Sequence, residues 1–137
     1  MIADFLREHF SVKMEATYEW GKNSNGNLFR YDIEVVEKSC VVEVDGPQHF
    51  TNMHQWHSIA TTVIENDILK MNAAVLNNMR VVRICQADVW NNVFEWKALL
   101  LNAVNSSTLV SFIANDSSLY DSHHSNLGTT LNDFKLL

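Results

Sequence analysis

The sequence predicts an α/β fold, and three patterns lead to that prediction. Residues 28–45 contain two segments in which apolar and polar side chains alternate, and the short turn between them predicts a β-hairpin. Residues 58–78 carry apolar side chains at helical spacing, and the apolar run at 79–85 predicts a strand after that helix. Strand, helix and strand in this order are typical of the crossover that joins parallel strands.

The composition predicts a folded globular protein. The chain has 137 residues, of which 47% are hydrophobic and 19% are charged, so one domain with a sizeable core is expected. From residue 115 onward the chain is rich in Ser, Asn, Asp and His. We therefore expect a single domain over residues 1–114 and a polar, flexible tail over 115–137, with His123 and His124 solvated.

Charge and hydropathy limit the compartments and the binding partners expected for this protein. No apolar run approaches the roughly 20 residues of a membrane span, and the N-terminal stretch lacks a signal-peptide pattern. An intracellular, soluble protein of the cytoplasm or nucleus, with no membrane partner, is expected. The net charge of -6 argues against a generally basic surface but leaves room for a local basic cleft or a metal site.

The remaining segments predict further elements around the hairpin and the crossover. "IADFLREHF" predicts a short N-terminal helix, "SVKMEATYEW" a strand and "GKNSNGN" a loop. "DVWNNVFEWKALLLNAV" predicts one continuous helix, whose Trp90, Phe94 and Trp96 are expected in the core, and "STLVSFIA" predicts an added strand. Cys40 and Cys85 are too few for a disulfide framework.

The hairpin gathers acidic side chains. If its two apolar faces share one core, Asp32, Glu43 and Asp45 project from the opposite face, and cross-strand neighbours lie about 5 Å apart. Acids in so apolar a strand need a partner, and a metal ion is one candidate. Two simpler interpretations remain open, a solvent-facing Asp32 and a turn-forming Asp45 before Gly46.

A carboxylate patch of this kind suits a hard divalent cation such as Mg²⁺ or Mn²⁺, which prefers oxygen ligands and water. Such an ion lowers the pKa of bound water and neutralises charge on a phosphodiester. A nearby Lys, Gln or His can orient the attacking water or hold a phosphate. The pattern therefore indicates a divalent metal site, whose chemistry would suit a phosphodiester.

The stretch "RYDIEVVEKSCVVEVDGPQHF" resembles the core of PD-(D/E)xK nucleases, in particular the branch close to very-short-patch-repair endonucleases. That branch has an Asp on one strand, a short turn and then a strand with E-x-D-G followed by Gln/His. Downstream, "NDILKMNAAVLNNMRVVRI" resembles the family's D-x-x-K helix and the strand that carries an Arg, at Asp67, Lys70 and Arg83. The resemblance covers residues 30–104.

The resemblance implies a restriction-endonuclease-like fold, with a central mixed sheet flanked by helices. It implies that Asp32 and Glu43 bind Mg²⁺ or Mn²⁺ together with the carbonyl of Val44. It also implies further catalytic candidates around this pair, namely Asp45, Gln48, His49 and Lys70, with Glu8 as a candidate for the acid of the first helix.

One position departs from the family pattern. Asp45 stands two residues after the second acid, where the usual motif has lysine. Gln48, His49 or Lys70 are the candidates for the missing polar or cationic group, and the sequence leaves the choice among them open.

The expected substrate is a nucleic acid, DNA more than RNA. Arg30, Lys70 and Arg83 are candidates to neutralise phosphates, and Trp56 is a candidate to stack on a base or wedge into the duplex. Because the chain is acidic, a homodimer or a partner protein is a candidate source of further basic surface.

Three alternatives stay open. "VEVDGPQHF" with the D-x-x-K helix also resembles the RAP domain, a variant of the same fold linked to RNA metabolism, which implies a non-catalytic, RNA-directed module. A dimeric scaffold whose acids serve an ion-pair network is a second alternative. Zinc binding by His49, His54 and His57 is a third, although the related repair enzymes use cysteines for their zinc.

Overall fold

The computed structural model describes residues 1–47, 57–127 and 134–136. Its helices and strands follow the predicted order with three differences. The predicted helix over 88–104 is divided in two, and a helix after residue 120 and a last strand are added. The elements are α1 Ile2–Arg7, β1 Val12–Ala16, β2 Tyr31–Val35, β3 Cys40–Asp45, α2 His57–Leu76, β4 Arg80–Cys85, α3 Gln86–Asn91, α4 Trp96–Asn105, β5 Val110–Ile113, α5 Asp121–Leu127 and β6 Phe134–Leu136.

The strands form one mixed sheet in the order β1-β2-β3-β4-β5-β6. The pairs β1–β2 and β2–β3 are antiparallel, and β3 to β6 run parallel to one another. A short 3-10 turn at Val36–Lys38 joins β2 to β3 and ends at Ser39 in the left-handed region, with φ 47°. The predicted α/β class, the hairpin and the parallel crossover are therefore confirmed.

Helices cover both faces of the sheet. Leu6 of α1 and Leu100 of α4 pack against one face, whereas Met71 and Ala74 of α2 pack against the other. Strands β3, β4 and β5 are buried along almost their whole length, as expected for parallel strands between two helical layers. Any charged side chain on these strands therefore needs a partner inside the protein.

Helix α2 connects β3 to β4 and is 20 residues long. Its buried face includes Asp67, Met71 and Ala74, so an acid lies within the apolar stripe as the spacing predicts. The face turned to solvent includes Leu76, which is 80% exposed. No helix in the described ranges is both long enough and apolar enough to cross a membrane.

The predicted helix over 88–104 is divided in two. Asn92 adopts a left-handed conformation (φ 49°) and ends α3, and α4 begins at Trp96. Asn tolerates this conformation better than most residues, so the Asn-Asn pair is a suitable place for the break. The break separates the aromatic side chains, because Trp96 is buried whereas Trp90 is 69% exposed. The core position predicted for Trp90 is wrong.

Part of the segment assigned to a polar tail folds against the sheet. A 3-10 turn at Ser117–Tyr120 leads into α5, which packs against α2, and β6 pairs with β5. Tyr120 and His123 are fully buried. The solvated state predicted for His123 is therefore wrong, because its ring pairs with an acid of α2.

Shortening Leu100 tests the packing of α4 on the sheet. We expect Leu100→Ala to lower the free energy of unfolding by about 2–5 kcal/mol, because Leu100 is fully buried and the loss leaves a cavity. Leu76→Ala is the matched control on an exposed leucine, and it should change the free energy of unfolding by less than about 0.5 kcal/mol. Urea denaturation followed by circular dichroism measures both, and equal effects would contradict the packing described.

Candidate active site

Asp32 and Glu43 lie side by side where β2 and β3 separate. The strand pairing ends at Ile33 and Val42, and side chains take over from the backbone beyond that point. Asp32 Oδ2 accepts a hydrogen bond from the Val44 backbone N–H at 2.8 Å, and Glu43 Oε1 accepts one from the Asp32 N–H at 2.9 Å. Each carboxylate is thus fixed by the neighbouring strand. The sequence prediction that brings these two acids together is confirmed.

Lys70 reaches this pair from α2. Its Nζ lies 2.9 Å from Glu43 Oε2 and donates a hydrogen bond to the Arg30 carbonyl at 2.6 Å. The same ammonium lies 5.0 Å from the centroid of the Tyr31 ring, and the Tyr31 hydroxyl donates to the Lys70 carbonyl at 2.7 Å. Four contacts therefore hold the lysine in place. Among the cationic candidates of the sequence, Lys70 is the one that contacts Glu43 most closely in the described chain.

Asp45 has a different environment from Asp32. Arg83 binds it with two hydrogen bonds, Nε to Oδ2 at 2.8 Å and Nη2 to Oδ1 at 2.7 Å, and the Tyr120 hydroxyl donates to Oδ2 at 2.8 Å. Glu43 lies on the same face of β3, with its Oε2 4.0 Å from Arg83 Nη2. Asp45 is thus committed to a buried arginine and a buried tyrosine, whereas Asp32 is bound to the backbone of β3.

Arg83 connects the strands to α2 and, through Asp67, to α5. Its Nη2 also lies 3.0 Å from Asp67 Oδ1, and Asp67 Oδ2 lies 2.9 Å from His123 Nε2. We call Asp45, Asp67, Arg83, Tyr120 and His123 the Arg83 network. Arg83 has no exposed surface. The phosphate-binding role predicted for Arg83 is therefore corrected, because a guanidinium enclosed by carboxylates does not reach a ligand.

The sequence analysis missed Tyr120 and His123. Both lie in the segment assigned to a tail, where hydrophilic neighbours mask them. A partial signal is present, because Asp67 occurs in the apolar stripe of α2 and an acid there requires a partner. The sequence does not show that the partners come from more than 50 residues further along the chain.

Burial shapes the electrostatics of the site. Burial raises the pKa of the Glu43 carboxyl above its usual 4.5, and the positive charges of Arg83 and Lys70 offset part of that rise. Burial by itself lowers the pKa of Arg83, but Asp45 and Asp67 outweigh it, so the pKa of Arg83 is raised and the guanidinium stays charged. Burial and the charge of Asp45 raise the pKa of Tyr120, which keeps its hydroxyl protonated as a donor.

A cavity of about 440 Å³ opens beside Asp32. Asp32, Ile33 and Val44 form its wall at the sheet, and residues of α1, β1 and α3 form the remainder. The other lining residues are Met1, Ile2, Ala3, Met14, Glu15, Gln86, Val89 and Trp90. Asp32 is half-buried, so this carboxylate is reachable from the cavity while Glu43 behind it is 4% exposed.

The resemblance assigns a divalent metal ion to Asp32, Glu43 and the Val44 carbonyl. These are oxygen donors, and Mg²⁺ is typically held by one or two carboxylates together with water. Within the described ranges, no three His, Cys, Asp or Glu side chains are grouped closely enough to hold a metal by themselves. A bound ion would therefore depend on water or substrate oxygens for the rest of its ligands.

Several predicted site residues lie outside the described residues. Gln48, His49 and Trp56 belong to this group, as does His54 of the histidine series. Arg30 is exposed next to Lys70, and its predicted contact with phosphate stays a prediction. Glu8 is exposed just after α1 and does not line the cavity.

Comparisons with known proteins add no family assignment. No protein-family model matches the chain, and no curated protein matches it significantly. The resemblance to PD-(D/E)xK nucleases therefore depends on the residue pattern alone and stays a prediction.

Replacing Arg83 by an apolar side chain tests the Arg83 network. We expect Arg83→Met to lower the free energy of unfolding by about 3–5 kcal/mol, because Asp45 and Asp67 would remain buried without their cation. Arg7→Met is the matched control, since Arg7 pairs with Asp4 at the surface, and it should have a much smaller effect. Urea denaturation measures both variants, and equal losses would contradict a stabilising role for the buried pair.

The pH dependence of stability tests the environment of Glu43. Because its folded-state pKa is raised, the folded protein binds this proton more tightly than the unfolded chain. Between about pH 4.5 and the raised pKa, ionisation of Glu43 should therefore make the free energy of unfolding fall as the pH rises. In Glu43→Gln this contribution should disappear.

Glu37 supplies a control of opposite sign. A hydrogen bond from the Ser11 N–H lowers the pKa of the Glu37 carboxyl, so its contribution is present above pH 4.5 and is lost as the pH falls. Urea denaturation of the wild type, Glu43→Gln and Glu37→Gln from pH 3.5 to 7 separates the contribution of Glu43 to stability from that of Glu37. Identical pH profiles for wild type and Glu43→Gln would contradict the raised pKa.

Proposed function

We propose that the protein is a metal-dependent endonuclease with a restriction-endonuclease-like fold, which hydrolyses DNA phosphodiester bonds. The observation that supports this most directly is the hydrogen-bonded group of Asp32, Glu43 and Lys70, of which Asp32 lines a cavity. The mixed sheet with helices on both faces is the architecture that the family resemblance implies.

Lys70 is our candidate to replace the motif lysine that this chain lacks. Asp45 occupies the motif position and is bound to Arg83. Lys70 brings an ammonium to within 2.9 Å of Glu43 from α2 instead. We infer that Lys70 takes over the cationic function, and that Asp45 positions the site through the Arg83 network.

The roles of the individual groups follow from their positions. Asp32, Glu43 and the Val44 carbonyl would hold Mg²⁺ or Mn²⁺, which when bound supplies a water of lowered pKa and positive charge beside the phosphate. Lys70 holds a second positive charge next to Glu43 and favours the ionised form of that carboxylate. Gln48 and His49 come three and four residues after the end of β3 in the sequence and remain candidates to orient the water.

The acidic balance of the chain bears on how DNA is bound. With a net charge of -6, the protein has little general attraction for a polyanion. Arg83 is buried and contributes nothing at the surface, which leaves Arg30 and Lys70 near the site. We therefore propose that a second copy of the chain or a partner protein contributes basic surface.

A non-catalytic module or scaffold is the second candidate, and the Arg83 network favours it. Glu43 and Asp45 already have cationic partners, so their burial is explained without a metal ion. Under this hypothesis the same fold binds nucleic acid, RNA included, or another protein, and it does so without hydrolysis.

Metal binding and DNA cleavage separate these hypotheses. We expect the wild type to bind Mn²⁺ in isothermal titration calorimetry and to nick or cut plasmid DNA with Mg²⁺ or Mn²⁺. Asp32→Asn and Glu43→Gln should each abolish Mn²⁺ binding and DNA cleavage, because each substitution removes a charged oxygen ligand. Lys70→Met should retain Mn²⁺ binding and reduce the cleavage rate by about 100-fold or more, as expected on removing a group that acts on the reacting atoms.

Glu37→Gln serves as the control, since it neutralises an exposed acid in the turn at the other end of β2 and should leave both activities unchanged. Cleavage that survives both Asp32→Asn and Glu43→Gln would refute the assignment of the site. Absence of both Mn²⁺ binding and cleavage in the folded wild type would favour the non-catalytic module.

A further inference from the structure

The cavity beside Asp32 has an exposed tryptophan at its edge. Trp90 of α3 is 69% exposed, and Met14 of β1, another lining residue, is 46% exposed. Tryptophan is highly buried on average, so an indole held at the surface beside a cavity is unusual. We call the space between these two side chains and Asp32 the Trp90 cleft.

Local structure holds Trp90 in this position. The left-handed Asn92, two residues after Trp90, ends α3, and α4 begins at the buried Trp96. Val89, the preceding residue, is buried and anchors α3 against the sheet. The indole is therefore carried by a fixed helix rather than by a free loop.

The charge of the cleft indicates what kind of group fits it. The side chains that line it include two carboxylates, Asp32 and Glu15, and no lysine or arginine within the described residues. Met1 also lines the cleft, and its N-terminal ammonium lies 3.8 Å from the Asp4 carboxylate. The two lining carboxylates disfavour a phosphate in the cleft itself, whereas a neutral, flat ring is not repelled. Trp90 offers an aromatic face for stacking, and the Gln86 amide offers both a donor and an acceptor.

We propose that the Trp90 cleft takes an unpaired nucleobase of the nucleic acid substrate, stacked on Trp90. This inference rests on the proposed function for its location, because Asp32 and Val44 belong both to the cleft wall and to the metal donor set. A base in the cleft lies next to the phosphodiester that the proposed metal ion would hold at Asp32, where the ion offsets the carboxylate charge. The substrate class that follows is single-stranded nucleic acid, or duplex with an unpaired nucleotide, rather than fully paired duplex.

Fluorescence anisotropy with labelled oligonucleotides tests the proposal. The probes are a 15-nucleotide single strand, the same sequence as a blunt duplex, and the single strand made entirely of abasic residues, with Ca²⁺ in place of Mg²⁺ at low salt. We expect the full-length protein to bind the single strand at least tenfold more tightly than either other probe. Trp90→Ala should weaken single-strand binding by about tenfold or more, and Trp90→Phe should restore most of it.

Two controls keep the result specific to the cleft. Leu76→Ala removes an apolar side chain that is 80% exposed at the C-terminal end of α2, and this variant should bind like the wild type. Trp90→Ala should unfold at the same urea concentration as the wild type and bind Mn²⁺ unchanged, because the exposed indole is not among the proposed metal donors.

The outcomes distinguish this inference from the proposed nuclease function. Metal-dependent cleavage combined with wild-type affinity in Trp90→Ala, or with a preference for duplex, would overturn the base-binding cleft and leave the nuclease standing. Single-strand binding that depends on Trp90 in a protein without cleavage would support the cleft and refute the nuclease. No binding to any of the three probes would overturn the cleft.

Discussion

The burial of one guanidinium between two carboxylates determines the arrangement of this end of the sheet. Arg83 lies on β4, and its partners Asp45 and Asp67 come from β3 and α2. A charged group removed from water is tolerated only when its hydrogen-bonding and charge requirements are met inside the protein. Any change in the position of α2 relative to the strands would separate these charges, so the network fixes the crossover helix in rotation as well as in distance.

The position of Lys70 follows from this constraint. Lys70 is one helical turn from Asp67, so once Asp67 is bound to Arg83 the ammonium is directed toward Glu43. Stability and the proposed chemistry thus use adjacent parts of one charged cluster. Asp45 is fully enclosed and belongs to the Arg83 network, whereas Asp32 borders the cavity and is the carboxylate that the proposed function assigns to a metal ion.

Replacing a buried ion pair by apolar residues of similar volume is often neutral or stabilising, so stability alone does not explain the Arg83 network. A network of this kind favours one arrangement of strands and helix, because Arg83 is paired with both Asp45 and Asp67 in that arrangement. The proposed hydrolysis would require the carboxylates and the cation to be held with such precision.

The sequence by itself determined the α/β class, the hairpin, the crossover and the meeting of Asp32 with Glu43. These follow from periodicities of two and 3.6 residues and from a short turn, all of which act between near neighbours in the chain. Tertiary structure decided the rest. It enclosed Arg83, divided the helix after Asn91 and exposed Trp90, and it brought Tyr120 and His123 into the interior from a segment that is hydrophilic in composition. Those outcomes depend on partners far apart in sequence, and local pattern carries no information about which distant group will satisfy a buried charge.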